Sequence, residues 1–283
     1  MEKPFFTPDF CLLPPHDVFA RRSERFTELA ADVTTEWAEY LRLLAAVCAA
    51  QQTVLEAKPF RLPESIDTLE PADDVAPVLT ALLDALSPIH HPAVQDTVQR
   101  LRLLPAEEIH ALACRVLQQQ TQPQEQAFVP WLQAALQIIC TAWAMQSDAE
   151  QHHKRDPADA CPCCGSEAFA SMVYNGGERD GLRYMCCPLC NTQWNMLRAQ
   201  CTFCGSNDGI SIQSAQNAQQ PALLAAAGET CENCHGYRKM YLQEKARHAD
   251  PFADDLATLA LDILLSQSGY ARGGANPFLL QTE

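Results

Sequence analysis

Four short stretches decide the fold: Cys161-Pro-Cys-Cys164-Gly-Ser166, Cys186-Cys187-Pro-Leu-Cys190-Asn, Cys201-Thr-Phe-Cys204-Gly-Ser206 and Cys231-Glu-Asn-Cys234-His-Gly236. Each carries two cysteines separated by two residues. A two-residue turn brings both sulfurs onto one tetrahedral metal, while neighbouring amides point at the thiolates. Gly165 and Gly205 directly follow the second cysteine of their pairs, a position that often needs a conformation glycine adopts easily. Two such pairs supply four ligands. Cys161, Cys164, Cys187, Cys190, Cys201, Cys204, Cys231 and Cys234 are therefore expected to hold two metal ions per chain, each in a complete four-thiolate shell.

Chain order favours joining the pair at Cys161/Cys164 to Cys187/Cys190 and the pair at Cys201/Cys204 to Cys231/Cys234. The alternative joins the two middle pairs across Asn191 to Gln200 and leaves the outer pairs to meet. Sulfur-only coordination suits zinc or iron, and the spacing does not separate them. Zinc would make closed structural sites; iron would make rubredoxin-like sites capable of one-electron chemistry. Cys163 and Cys186 are left over as candidate alternative ligands or redox thiols, set against a plainer reading as inert neighbours. His235, His152 and His153 are expected outside the metal shells, which four thiolates already complete.

Outward from the cysteines, Ala168 to Tyr174, Leu182 to Cys186, Thr192 to Leu197, Ile210 to Gln213 and Tyr237 to Leu242 read as short strands. A Gln- and Ala-rich excursion follows Gln213, and Trp194 is placed to cover a metal site. Modules this small cannot fold on hydrophobic burial alone. Structural zinc in small fingers is worth roughly 10–16 kcal/mol apparent, enough to supply much of the folding free energy.

The first 150 residues follow a helical period. Phe19, Phe26, Leu29 and Val33 mark one stripe; Trp37, Leu41, Leu44, Val47, Cys48 and Leu55 mark a second, on a run from about Thr35 to Ala57. After a linker, Lys58 to Glu70 with Pro59 and Pro63, Asp73 and Asp74 can cap a short helix. Further helices are expected near Pro92 to Leu104 and Ala106 to Gln120. Ala127 to Met145 is apolar enough to be weighed as a membrane span. Its acidic flanks and the helical recurrence of Leu132, Leu136, Ile139 and Trp143 favour a buried central helix, hence no integral membrane protein. Cys11, Cys48, Cys114 and Cys140 read as small buried residues, and His90-His91 as a solvated helix boundary. Nothing in this half looks catalytic.

The division expected is an α-helical domain over 1–150, a first metal module over 155–198, a second over 199–248, and a C-terminal helix and tail over 249–283. That is a multidomain α plus small-β chain: an N-terminal helical bundle, two tandem rubredoxin-like or zinc-ribbon modules, and a C-terminal helix. Asp254 and Asp255 read as N-terminal caps of a helix from Leu256 to Leu265, or as candidate partner contacts. Leu256, Leu259, Ala260, Ile263 and Leu264 are its expected packing face.

The whole chain, 283 residues, carries 35 acidic and 20 basic side chains for a formal charge of −15. Both halves are acidic, with 21 acidic against 10 basic residues up to Glu150 and 14 against 10 after it. Two four-thiolate sites holding divalent ions would take the total to about −19. Such a field disfavours nucleic acid as a partner and is compatible with a protein. The N-terminus lacks a secretory pattern, which predicts a cytoplasmic protein with reduced thiols.

Taken together, the four ordered cysteine pairs resemble the formate dehydrogenase accessory protein family, the FdhE type. The likeness extends to Phe19-Ala-Arg-Arg-Ser-Glu-Arg-Phe26, to Ala50-Gln51-Gln52, to Asp254-Asp255-Leu-Ala-Thr-Leu-Ala-Leu-Asp262, to Gly269-Tyr270 and to Asn276-Pro-Phe-Leu-Leu280. The extra cysteines Cys163 and Cys186 depart from the pattern. The resemblance implies a maturation factor, not itself an enzyme. It would bind the catalytic, molybdenum- or tungsten-cofactor subunit of a respiratory formate dehydrogenase and be needed for its activation, with iron as a plausible metal and zinc a common substitute. Two rival readings follow from the residues alone: a rubredoxin-like electron carrier or redox sensor, and a zinc-ribbon nucleic-acid binder.

Overall fold

The computed structural model describes residues 8–33, 36–58, 72–87, 92–215 and 221–279. The expected linker with Pro59 and Pro63, the pair His90-His91, and Leu280 lie outside these residues. The described chain divides into two compact units, one within 14–146, 189–191 and 276–283, the other within 1–13, 147–188 and 192–275.

The first unit is helical: α1 (Val18–Ala31), α2 (Glu36–Ala57), α3 (Val75–Ala85), α4 (Pro92–Leu103), α5 (Ala106–Leu117) and α6 (Val129–Ala144). On α1, Phe19, Arg22, Phe26 and Leu29 are buried at three- and four-residue spacing, as an inward-facing helical stripe requires. Asp74 stands at the N-cap of α3, but its side chain makes no capping hydrogen bond. Thirteen of the sixteen residues of α6 are buried, and the helix packs against α2, α3 and α5, so its apolarity serves a protein core. Among the described residues no helix is long and apolar enough to cross a membrane. Gln51 answers the polar demand inside this core by donating to the carbonyl of Ala134 at 3.0 Å and to Gln137 at 2.9 Å. A buried amide left without partners would cost about 1–3 kcal/mol.

The second unit is a sheet of β1 (Cys11–Leu12), β2 (Ala170–Val173), β3 (Arg183–Cys186), β4 (Gln193–Met196), β5 (Ile210–Gln213), β6 (Ala226–Cys231), β7 (Gly236–Leu242) and β8 (Ala271–Arg272), with helices α7 (Pro221–Ala225), α8 (Pro251–Ala257) and α9 (Leu259–Gln267). The strand order is β1-β4-β3-β2-β7-β6-β5, with β8 also on β7. The two cysteine-rich segments therefore share one sheet. Their junction is the parallel pairing of Ala170–Val173 with Lys239–Leu242. The neighbouring ladders β2–β3, β3–β4, β5–β6 and β6–β7 are antiparallel.

Part of the expected Gln- and Ala-rich excursion is strand β6, Ala-Ala-Gly-Glu-Thr-Cys. Alanine favours helix, but ladders on both sides fix this segment as strand, a case of tertiary pairing overriding propensity. Gly228 sits closely against α9 within it. A β-carbon there would stand 2.4 Å from Leu265 Cδ1.

The expected helix from Leu256 to Leu265 is corrected to two. Asp250 caps α8, its carboxylate accepting the N–H groups of Phe252 and Ala253 at 3.0 Å each. Thr258 breaks the chain before α9. The break re-aims the apolar face: Leu256, Leu261 and Leu265 are buried, whereas Ile263 and Leu264 are 59% and 51% exposed.

Candidate metal centres

The cysteine sulfurs gather into two groups, Cys161, Cys164, Cys187 and Cys190, and Cys201, Cys204, Cys231 and Cys234, each with all four sulfurs within 4.8 Å of one another. This is the sequential pairing. Sulfur separations of 3.4 Å for Cys164 to Cys187, 3.8 Å for Cys201 to Cys234 and 3.7 Å for Cys204 to Cys231 match the edge of a tetrahedron whose metal–sulfur bonds are about 2.3 Å, which is about 3.8 Å. Both groups fit a tetrahedral thiophilic ion such as zinc or iron.

The turns repeat one local design. The N–H of Cys161 donates to Ser166 O at 2.8 Å, that of Cys201 to Ser206 O at 2.8 Å, and that of Cys187 to Thr192 O at 3.0 Å. The residue after each second cysteine lies in the left-handed region: Gly165 at φ +81°, Asn191 at +60°, Gly205 at +71° and His235 at +54°. Glycine takes this conformation freely and asparagine tolerates it. Asn191 is further held by its side chain, which accepts from Arg22 Nη2 at 2.7 Å and donates to Thr141 Oγ1 at 2.8 Å.

Backbone amides point at the sulfurs, those of Phe203 and Cys204 at Cys201 and those of Asn233 and Cys234 at Cys231. Before a metal enters, the sulfurs of this group do not ionise alike. Burial pushes the Cys201 thiol up to about 12. Burial also opposes ionisation of Cys231, but its amide donors and the neighbouring sulfurs outweigh it and hold that thiol at about 7.

Cys163 and Cys186 are buried and belong to neither group. Cys186 Sγ lies 3.9 Å from Tyr184 O. His235 is exposed, and His152 Nε2 pairs with Ser147 Oγ at 2.8 Å. Trp194 is buried, its indole N–H donating to Ala158 O at 3.1 Å. Cys11, Cys48 and Cys140 are buried, whereas Cys114 is half-buried beside His110 Nε2 at 3.5 Å.

Asp254 and Asp255, expected at a helix cap or a partner surface, are both sealed at 0% exposure. Asp255 pairs with Lys239 at 2.8 Å and Arg272 at 2.7 Å. The Asp254 carboxylate accepts the N–H of Asp250 at 2.8 Å. Asp255 clasps α8 to β7 and β8, while Asp254 closes the first turn of α8 itself.

Three buried cations on the strands were not foreseen. Arg183 on β3 pairs with Glu229 on β6 and bonds the carbonyls of Leu197 and Gln200, the chain entering Cys201. Arg238 on β7 reaches Asp159 at 3.2 Å and Glu167 at 3.1 Å on either side of the first cysteine pair, with its guanidinium 4.2 Å from the Phe203 ring inside the third. Lys239 anchors α8 and α9. Their only sequence signal is a charge inside an apolar strand, as in Tyr237-Arg-Lys-Met-Tyr241, which does not name the partner.

A helical region followed by two four-cysteine groups in a small sheet defines a protein of paired metal-binding knuckles. Family models match it in three consecutive blocks: FdhE, N-terminal, over 7–156; FdhE, central domain, over 160–198; and FdhE, C-terminal domain, over 199–279. The chain belongs to the FdhE family. Relatives called "Protein FdhE homolog" include one from Stutzerimonas stutzeri, 35% identical over 288 residues with 96% of this chain and 92% of that one covered. Another, from Pseudomonas aeruginosa, is 34% identical with 94% and 93% covered. The crystal structure of the FdhE protein from Pseudomonas aeruginosa superposes with a TM-score of 0.84 at 32% identity, covering 95% of this chain and 98% of that one.

Proposed function

We propose that this chain is a cytoplasmic accessory factor that binds the catalytic subunit of a respiratory formate dehydrogenase and is required for its activation, without catalysing a reaction itself. The observation that carries the reading is membership of the FdhE family along nearly the whole chain, with both four-cysteine groups assembled. In this reading the eight grouped cysteines ligate two ions, iron or zinc. A four-thiolate shell leaves no open coordination position for a substrate, which agrees with a binding role. The working division is a helical domain over 1–150, metal modules over 155–198 and 199–248, and a C-terminal segment over 249–283.

Affinity purification of the tagged chain from a strain making formate dehydrogenase tests this directly. The immature catalytic subunit co-purifies, and deletion of the factor leaves the enzyme inactive. Recovery of no such subunit, together with full enzyme activity in the deletion strain, overturns the proposal. A redox contribution is favoured by the exposure of Cys204 and Cys234, because iron held there would lie within reach of an electron donor. A visible absorption spectrum of anaerobically purified protein tests that contribution, and a colourless preparation with two zinc ions removes it.

A further inference from the structure

The two sulfur groups share their loop geometry and differ in their cover. In the first, Cys161, Cys187 and Cys190 are buried and Cys164 is half-buried. The flanking Pro162 and Cys163 are buried as well, and Arg155 holds the Pro162 carbonyl with two donors at 3.3 Å each. In the second, Cys204 and Cys234 are both exposed, as are Gly205, Glu232, Asn233 and His235 around them. Of its four cysteines only Cys201 and Cys231 are buried.

We propose that the second group is the exchangeable metal position of this protein, open to an incoming chelating ligand, while the first group keeps its ion. Substitution at a four-coordinate ion proceeds when the entering ligand reaches the metal and expands its shell. That approach is open on the face bounded by Cys204 and Cys234 and covered at the first group. The inner sulfurs Cys201 and Cys231 each accept two backbone N–H groups of their own turns, whereas Cys234 accepts one, from Gly236, so this outer sulfur is held by fewer donors than the buried pair. With an ion held there, a bond would form between it and the entering ligand while the bond to Cys204 or Cys234 breaks; the displaced cysteine would keep its electron pair and take a proton from water, so no electron would change hands. This inference rests on both groups holding metal and is independent of the partner proposed above.

The test uses the full-length chain loaded with zinc and challenged with excess EDTA. Released zinc is followed over time, and aliquots are pulse-alkylated with iodoacetamide and mapped by peptide mass spectrometry. Two ions are bound at the start. One equivalent leaves at least about tenfold faster than the other, a barrier difference of about 1.4 kcal/mol. Cys204 and Cys234 are alkylated in step with the fast phase, while Cys161, Cys164, Cys187 and Cys190 stay protected until the slow one. Cys204→Ser removes the fast phase and keeps the slow; the wild-type alkylation map decides the matter if that variant does not fold. Release of both ions at one rate, or earlier alkylation of the first group, overturns this proposal alone. Fewer than two ions at the start overturns the two-metal reading along with it.

Discussion

Replacing Lys239 with methionine removes the ammonium at the centre of a sealed charge cluster while keeping most of the side-chain volume. Lys239 Nζ lies 2.8 Å from Asp255 Oδ1 and 2.5 Å from Asp262 Oδ2, and donates to Asp255 O at 2.9 Å and to Thr258 Oγ1 at 3.1 Å. Neither Lys239 nor Asp255 exposes any side-chain surface. After the substitution Arg272 is the cation left against both carboxylates, at 2.7 Å and 3.0 Å, beside the neutral hydroxyls of Tyr237 and Tyr241, and one negative charge is left uncompensated inside the protein. Breaking a buried pair from one side costs about 3–5 kcal/mol. At 1.36 kcal/mol per factor of ten, exchange of the β7 amides then accelerates by about 150- to 5,000-fold. Native-state hydrogen exchange of the metal-loaded protein reads this at Tyr237–Leu242, with α6 of the other unit as the unaffected control. Lys239→Met combined with Asp255→Asn loses less than the sum of the two single losses, because the second change removes the stranded charge. Exchange of β7 in Lys239→Met within about threefold of wild type, under 1 kcal/mol, would mean that the ammonium does not hold this cluster together.

The same cluster sets a pH limit. Burial alone would raise the Asp255 carboxyl, but Lys239 and Arg272 outweigh it and hold it below its ordinary value. The clasp's contribution is therefore complete above about pH 4, where the unfolded carboxyl ionises, and is lost as the pH falls through the lower folded value. β7 protection attributable to Asp255, read as the difference between wild type and Asp255→Asn, stays level from pH 8 to pH 5; a decline across that range contradicts the assignment. Gly274→Ala lowers stability by about 3 kcal/mol or more. Its β-carbon would stand 2.2 Å from Ala168 O and 2.6 Å from Phe169 Cα at a φ of +73°, and a left-handed alanine alone costs about 1–2 kcal/mol. Gly228→Ala meets only the flexible Leu265 side chain and costs less; equal urea midpoints for the two variants would count against this account. Gln51→Ala strips the donor from Gln137 and destabilises the helical unit by about 1–3 kcal/mol, seen as an earlier thermal loss of its circular dichroism, whereas an unchanged melting temperature argues against the buried contact.

The helical half was legible because period and punctuation agree there. Phe19, Phe26 and Leu29 repeat on one face, and Pro92 and Pro130 fall in first turns. The cysteine spacing carried the site equally well, since the turn that joins two sulfurs is local. What escaped was long-range. β6 is alanine-rich and becomes a strand only through its neighbours. The register of β2 against β7 joins residues about seventy positions apart. Arg183, Arg238 and Lys239 look like ordinary strand charges until Glu229, Asp159 and Asp255 arrive from elsewhere. Asn191 and His235 take the left-handed position that glycine takes in the other two pairs, so glycine alone revealed half of a fourfold pattern. Thr258 interrupts an apolar period that continues in the sequence, which is why Ile263 and Leu264 were expected inside and lie outside.

The eight grouped cysteines are expected to form two complete tetrahedral thiolate sites. Metal analysis combined with X-ray absorption at the bound metal's edge, on protein purified without added metal, tests it most directly. Two ions per chain are expected, each with four sulfur neighbours at about 2.3 Å and no nitrogen or oxygen in the shell. One ion per chain, or a shell containing nitrogen or oxygen ligands, would contradict it.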